Sequence, residues 1–193
     1  FLSMSVLIGV IDIDDQIVLG DPTPDFIYGF NFSGNVGDLD FGVFFQGSQG
    51  NEIYNVNKFY NVFWADDNKL TDVLNGWTPQ NTNTDIPRAT TLDQAENRAP
   101  SSFFVEDGSY LRLRTLELGY TLGTENVSWL GSLRVFATAQ NLFTLTGYSG
   151  YNPDISSAVG GRVGSANPLL ARGLDVRAYP LARTFMFGVQ AGF

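Results

Sequence analysis

The chain contains no cysteine and no histidine. Without Cys there is neither a disulfide framework nor a thiolate metal site. Without His it lacks the side chain that titrates near neutrality and serves most often as catalytic base or zinc ligand. A Ser-His-Asp or Cys-His mechanism is therefore excluded within these 193 residues. Positive charge is also scarce, with 11 Lys and Arg against 20 Asp and Glu and a net charge of -9. Phosphate contacts need clustered Lys and Arg, so nucleic acid is not the expected partner. No stretch approaches the roughly 18 apolar residues of a membrane-crossing helix. The longest apolar run near the start, Val6 to Ile11, is broken by Gly9. No signal peptide is visible, as for any mature or truncated N-terminus.

What the chain has in quantity is 16 Phe, 8 Tyr and 21 Gly, arranged with period 2. In Phe26 to Val36 the even positions carry Phe26, Tyr28, Phe30, Phe32 and Val36, while the odd ones carry Gly29, Asn31, Ser33 and Asn35. After Gly37-Asp38 the alternation resumes with Leu39, Phe41, Val43 and Phe45 on one side and Asp40, Gly42 and Gln46 on the other. Two alternating runs joined through Gly-Asp predict a hairpin with a tight turn. Tyr110 to Leu122 is a third run. Its apolar parity slips between Leu113 and Leu116, which predicts a β-bulge that re-aims the side chains. Ser132 to Thr144 and Arg183 to Phe193 are the fourth and fifth, and Phe1 to Val10 is a candidate sixth. No capped segment of period 3.6 competes with these.

The connectors alternate in length. Gly37-Asp38 and Gly123 to Gly131 are short, whereas Asn51 to Ser109 and Gly147 to Ala182 are long for a compact soluble domain. Between Ser48 and Ser109 nine acids face four bases, a pattern that reads as a solvated loop surface. Short turns at one end, long loops at the other, and strands with one aromatic-rich and one polar face together predict an all-β transmembrane antiparallel β-barrel. A soluble β-sandwich is the alternative, since a second sheet could also cover an aromatic face. The smallest bacterial barrels have about 8 strands, and hydrocarbon tolerates no open sheet edge. Five or six strands do not close alone, so the chain is expected to be a fragment of a longer polypeptide or one piece of a split barrel.

Several segments carry a family resemblance. Ile17 to Asn55, IVLGDPTPDFIYGFNFSGNVGDLDFGVFFQGSQGNEIYN, resembles the Gly-x-Pro-x-Pro-Asp-Phe, hairpin, Phe-Gln-Gly and Gly-Asn pattern of SusC-like (SusC/RagA family) TonB-dependent outer-membrane transporters. Gly76 to Arg88, GWTPQNTNTDIPR, resembles that family's Trp-Thr-Pro-x-Asn loop. FVEDGSYLRLRTLELGYTL (Phe104 to Leu122) and LRVFATAQNLFTLTGYSGY (Leu133 to Tyr151) resemble its late strands, and Tyr179-Pro180 before the final strand completes the order. The departure is FLSMSVLIGVIDI at the start, where the family is more polar.

The resemblance implies that residues 1–193 are the C-terminal portion of one barrel domain of about 22 strands, whose plug and earlier strands the chain lacks. It implies import of a nutrient, glycan or peptide, across the bacterial outer membrane. TonB would be contacted through the missing N-terminal region, and a SusD-like lipoprotein would act as a lid. Neither catalysis nor a cofactor is expected. A soluble β-fold that binds or hydrolyses glycans is the alternative, and would need two carboxylates at about 5–9.5 Å, a spacing no sequence can place.

Candidate site residues follow. Arg112 and Arg114, opposite in parity to Leu111 and Leu113, are candidates for a polar lumen face with Glu117, Arg134 and Gln140. There they would touch substrate or form salt bridges to a plug, the second being the plainer reading. Trp64 and Trp77, with Tyr54, Phe59, Tyr60 and Phe63, could stack on sugars or anchor a partner. They could equally form the long loop's own core, the favoured reading because such a loop needs internal packing. Asp12, Asp14 and Asp15 match only part of a calcium-loop pattern, and a solvated acidic turn is the simpler reading. The glycosylation triplets at Asn31 and Asn126 lie in or beside strands and are discounted.

Phe193, an aromatic at the end of an alternating strand, resembles the signal read by the outer-membrane assembly machinery. Deleting Phe193 from the complete protein should lower its folded, heat-modifiable fraction in the outer membrane. Undiminished assembly would count against the terminal-strand reading.

Overall fold

A computed structural model describes residues 2–4, 16–63, 68–89, 97, 99–125, 129–155, 172–176 and 178–193. Among the described residues the strands are β1 (Leu2–Met4), β2 (Gln16–Val18), β3 (Phe26–Val36), β4 (Leu39–Gln49), β5 (Glu52–Asn55), β6 (Val105–Asp107), β7 (Tyr110–Leu122), β8 (Ser132–Thr146), β9 (Leu174–Asp175) and β10 (Thr184–Gly192). They divide between two compact units. One comprises Asp25–Gln49, Ser109–Gly147 and Pro180–Phe193, and the other Phe1–Pro24, Gly50–Gly108 and Tyr148–Tyr179.

The first of these is a five-stranded antiparallel sheet of order β10-β8-β7-β4-β3. Each strand lies beside its predecessor in this unit, an up-and-down meander. β3 and β4 pair without a break from Phe26↔Gln49 to Val36↔Leu39 around the two-residue turn. Gly37 sits at φ 59° and Asp38 is not in the left-handed region. That fits a II′ turn, which wants Gly in its first central position and matches the twist of the flanking strands.

Register carries one apolar face across all five strands. Phe32 pairs with Val43, Val43 with Leu116, Leu116 with Ala139, and Ala139 with Phe185. The parallel row runs Phe30, Phe45, Leu113, Phe143 as far as β8. Much of this face is uncovered, Phe30 being 51% exposed and Phe187 of β10 84%, although Leu113 is buried. So broad an apolar face is more than water tolerates on a monomer. The opposite face carries Asn31, Ser33, Asp40, Gln46, Glu117, Arg134, Thr138 and Gln140, together with two aromatics that the alternation did not mark out, Phe44 and Phe136.

The bulge expected in the third run is present. Leu113 pairs with Phe45 and Thr115 with Phe44, so Arg114 is the extra residue. On the other side the ladder steps from Leu113↔Phe143 to Thr115↔Gln140, with Asn141 at φ 53° between. Arg114 and Thr115 thus fall consecutively on the polar face, and Leu116 returns to the apolar one.

The second unit corrects two expectations. Among the described residues the candidate sixth strand contributes Leu2–Met4, which pairs with Gln16–Val18, from Leu2↔Val18 to Met4↔Gln16, in a sheet apart from the five-stranded one; the remainder of Phe1 to Val10 lies outside the described residues. The long connectors are also not plain loops. Their chain forms a three-stranded sheet of order β6-β5-β9, antiparallel between β5 and β6 and parallel between β5 and β9, with helical turns at Val56–Phe63, Thr71–Asn75 and Ser102–Phe104. These pieces are too short for periodicity to reveal. The unit's core is Ile53, Phe104 and Tyr148, all buried, with Tyr54 stacked on Phe104 at 5.4 Å between ring centroids.

Gly119 is a close-approach point of the five-stranded sheet. It lies between Asp40 of β4 and Phe136 of β8, and a Cβ there would collide with the Arg134 guanidinium and the Asp40 carboxylate. Gly119→Val should therefore cost on the order of 1–3 kcal/mol through overpacking, read as a lower denaturant midpoint of the refolded protein in detergent. Gly123→Val, with nothing within 4 Å, is the control and should leave the midpoint in place.

Candidate functional site

The polar face of the sheet is organised by Arg134. Its side chain runs from β8 over the bare backbone of Gly119 to β4. Nε donates to Asp40 Oδ1 at 2.9 Å, and Nη2 donates to Asp40 Oδ2 and, at 2.7 Å, to Glu117 Oε1. The guanidinium also lies 5.0 Å from the centroid of the Phe136 ring, a cation–π contact. Phe136 can lie flat there because its β10 neighbour across the ladder is Gly188. One cation thus balances two carboxylates and ties three strands. Thr138 completes the group by donating to Glu117 Oε2 at 3.4 Å.

The two arginines singled out from the sequence behave differently. Arg112 is only 2% exposed; its Nε donates to Thr144 Oγ1 at 3.0 Å and its guanidinium stands 4.9 Å from the Tyr110 ring centroid. Arg114, exposed at the bulge, donates to Gln46 Oε1 at 2.6 Å. The structure brings both to the polar face with Glu117, Arg134 and Gln140, and leaves Arg114 the more accessible of the pair. The network among Asp40, Glu117 and Arg134 was not foreseen as a unit, because its members are up to 94 residues apart and only register joins them.

In the second unit a half-buried hub forms around Glu106. Its Oε1 accepts from Asn55 Nδ2 at 2.9 Å, Ser149 Oγ at 2.8 Å and Lys58 Nζ at 3.0 Å, and its Oε2 accepts the Ser149 backbone N–H at 2.8 Å. Burial pushes this carboxyl up. The hydrogen bonds from Ser149, Asn55 and Lys58 together outweigh burial and hold it below its ordinary value. Nearby, Tyr148 donates to Asp175 Oδ2 at 2.5 Å. Burial first, then that carboxylate, raises the phenol well above its usual range. Asp175 Oδ1 also accepts the Ala178 N–H at 2.9 Å.

The Trp-Thr-Pro-x-Asn loop has a physical reason for its last residue. Asn81 closes a tight turn with Thr78, and its Nδ2 donates to the Asn75 and Gly76 carbonyls at 3.0 and 3.3 Å. Trp77 is exposed, held by its backbone N–H on Ile86 at 2.9 Å. Of the loop aromatics, Tyr54 and Phe59 pack on Phe104 and Phe59 on Tyr60, the loop-core arrangement, and Trp77 stands outside it. Trp64, the Phe63 side chain, and Asp12, Asp14 and Asp15 lie outside the described residues. Among the described residues no cluster of three or more Asp and Glu could hold a metal ion. Phe193 stacks on Trp129 at 5.8 Å between centroids, beside the Gly131 N–H to Gly192 carbonyl bond of 2.8 Å.

An uncovered apolar face, an opposing ion-paired face, and antiparallel strands of 9 to 15 residues define the wall of a transmembrane β-barrel. Strands of about 9–11 residues suffice to cross when tilted. No family model matches the chain. It is 37% identical over 190 residues to TonB-dependent receptor P26 of Formosa agariphila, covering 96% of this chain and 18% of that protein. It is 26% identical over 191 residues to TonB-dependent receptor SusC of Bacteroides thetaiotaomicron, covering 96% and 17%. In structure it matches the RagAB peptide importer in its open-open state with a TM-score of 0.72 and 24% identity, over all of this chain and 20% of that one. The chain is similar to one stretch of the TonB-dependent receptors of the bacterial outer membrane, SusC among them. It spans less than a fifth of the length of these relatives.

The hub makes a pH prediction. Because the folded Glu106 carboxyl sits below its ordinary value, its contribution to stability is present above the unfolded pKa and is lost as pH falls through the folded one. The Ser149 amide should be well protected relative to its intrinsic exchange rate at pH 7 and lose that protection as the pH falls through the lowered folded pKa. Glu106→Gln should lack that protection at pH 7 as well, a loss of about 1–3 kcal/mol. Protection as high in acid as at pH 7 in the native protein would remove Glu106 from this role.

Proposed function

We propose that this chain supplies the closing C-terminal strands of a plugged barrel that imports a nutrient, glycan or peptide, across the outer membrane under TonB control, with a SusD-like lipoprotein as its surface partner. The observation that carries this reading is the single apolar face continuous over five strands. It has no use in water and a direct one against lipid. The likeness to SusC supports the import reading, as does the likeness to the RagAB peptide importer.

On this reading the face bearing Arg114 and the Arg134 network lines the lumen, where Arg114 is available to substrate or plug. The edges of β3 and β10 need partners, because unpaired backbone groups cannot face hydrocarbon. Further strands of a longer polypeptide would provide them. The relatives are receptors rather than enzymes, and the chain's part is passage and binding. The connectors 51–109 and 147–182 would stand outside the cell, since they leave the strand ends opposite the Gly37-Asp38 turn.

Sidedness is directly measurable, since these 193 residues contain no Cys to interfere. Gln80→Cys should react with an impermeant maleimide on intact cells, and Asp38→Cys only after lysis. Mild detergent extraction followed by pull-down should recover a lipoprotein in near-equal amount. Replacing 51–109 by a short Gly-Ser turn should weaken that association and abolish TonB-dependent uptake while the barrel still assembles. The reverse labelling pattern would overturn the topology. Full uptake by the shortened protein would remove this connector from transport.

A further inference from the structure

The five-stranded unit contains four cations, and three of them, Arg112, Arg114 and Arg134, are held on the polar face by partners. Arg183, the fourth, stands on the other side. Thr184 pairs with Gln140 and Phe185 with Ala139, so the even positions of β10 belong to the polar face and the odd ones to the apolar face. Arg183 continues the odd row of Phe185, Phe187 and Val189, all exposed. The ladder ends at Thr184, but Asn141 Nδ2 donates to the Ala182 carbonyl at 3.1 Å. That bond ties the chain just before Arg183 to β8 and keeps the row in line.

A charge in a lipid-facing row is costly at the bilayer midplane and nearly free at the polar boundary. Arg183 therefore marks where the hydrocarbon ends. The length of the row below it agrees. From Phe185 to Phe193 a rise of about 3.3 Å per residue, tilted by about 40°, climbs about 20 Å. An apolar band is about 25 Å tall, which sets the Arg183 backbone at its margin. The aliphatic stem then crosses the last apolar layer and delivers the guanidinium to the headgroup level. Protein does not claim that charge: among the described residues no hydrogen bond or ion pair takes the Arg183 side chain. Residues 156–182, which run into it, contain one acid, Asp175. That carboxylate is buried and held by Tyr148 and the Ala178 N–H.

We propose that Arg183 binds a phosphate of an outer-leaflet lipid, whose acyl chains lie against Phe185 and Phe187. The planar guanidinium presents paired N–H groups that match two phosphate oxygens. The proposal rests on the import reading for its sidedness, because the end of β10 that carries Arg183 is the end that continues from the 147–182 connector.

The test uses the complete receptor in nonionic detergent, with bound lipid counted by native mass spectrometry. The probes are phosphorylated lipid A, the same lipid A after phosphatase treatment, and inorganic phosphate. Phosphorylated lipid A should bind about tenfold more tightly than the dephosphorylated form, a comparison that needs no variant. Arg183→Gln should lower the affinity for phosphorylated lipid A to that of the dephosphorylated form, with heat-modifiability retained. Arg183→Lys, which keeps the charge and loses the fork, should fall between. Equal affinity of the native receptor for the two forms, or an Arg183→Gln receptor that still distinguishes them, would overturn the site. Displacement of lipid A by equimolar inorganic phosphate would overturn a lipid as its occupant. Uptake in cells separates the two claims. TonB-dependent uptake by a receptor that does not distinguish the two lipids removes the lipid site and leaves import standing. Absence of TonB-dependent uptake with the lipid preference intact removes import and leaves the lipid site.

Discussion

Hydrocarbon offers no hydrogen-bond partner to a peptide group, and the architecture of the sheet follows from that constraint. Every N–H and C=O in the membrane must meet another across a ladder, so the chain runs as long antiparallel strands. A ladder of period 2 then sorts side chains into two populations. The one from Phe32 through Val43, Leu116 and Ala139 to Phe185 is wholly apolar. That face adds a lateral bond from the Tyr28 hydroxyl to the Tyr110 carbonyl at 3.2 Å, and the charged cohesion between strands comes from the other side.

That other side supplies it electrostatically. Arg134 reaches across a glycine to two carboxylates on two other strands, a fork geometry that lysine could not reproduce. An exposed pair in water contributes little. A single cation satisfying two acids and resting on an aromatic ring pays its ordering cost once for three contacts. The Glu106 hub of the second unit has the inverse arrangement, one carboxylate gathering three donor residues from two separate stretches of chain. In both, the charged group at the centre is outnumbered by its partners and is therefore satisfied.

The five long strands were legible because their signal is repetitive. Phe26 to Val36 and Tyr110 to Leu122 have the bounds that alternation predicts, and the slip between Leu113 and Leu116 announced the bulge. Ser132 to Thr144 fell short by only two residues, where β8 runs on to Thr146. What stayed hidden is non-repetitive. Four residues of β5 and two of β9 carry no period, and their parallel pairing joins positions about 120 apart. The apolar run at the start misled for the same reason, since hydrophobicity without a partner in register does not say which sheet a strand joins. The arginines of β7 were assigned to the polar face correctly, but parity cannot tell a buried guanidinium from an open one, and Arg112 and Arg114 differ in that respect.

The bulge at Arg114 has an evolutionary corollary. Elsewhere in β7 a one-residue insertion or deletion would swap the faces of every side chain beyond it, putting leucines in the polar row and arginines in the apolar one. Removal of Arg114 alone would restore strict alternation from Leu111 through Leu122, with each remaining residue keeping its face along the strand. This is consequently the position in β7 where the lineage can gain or lose a residue without inverting the sheet. A length difference among relatives at this point would register a change in what the polar face presents, and not a change of fold.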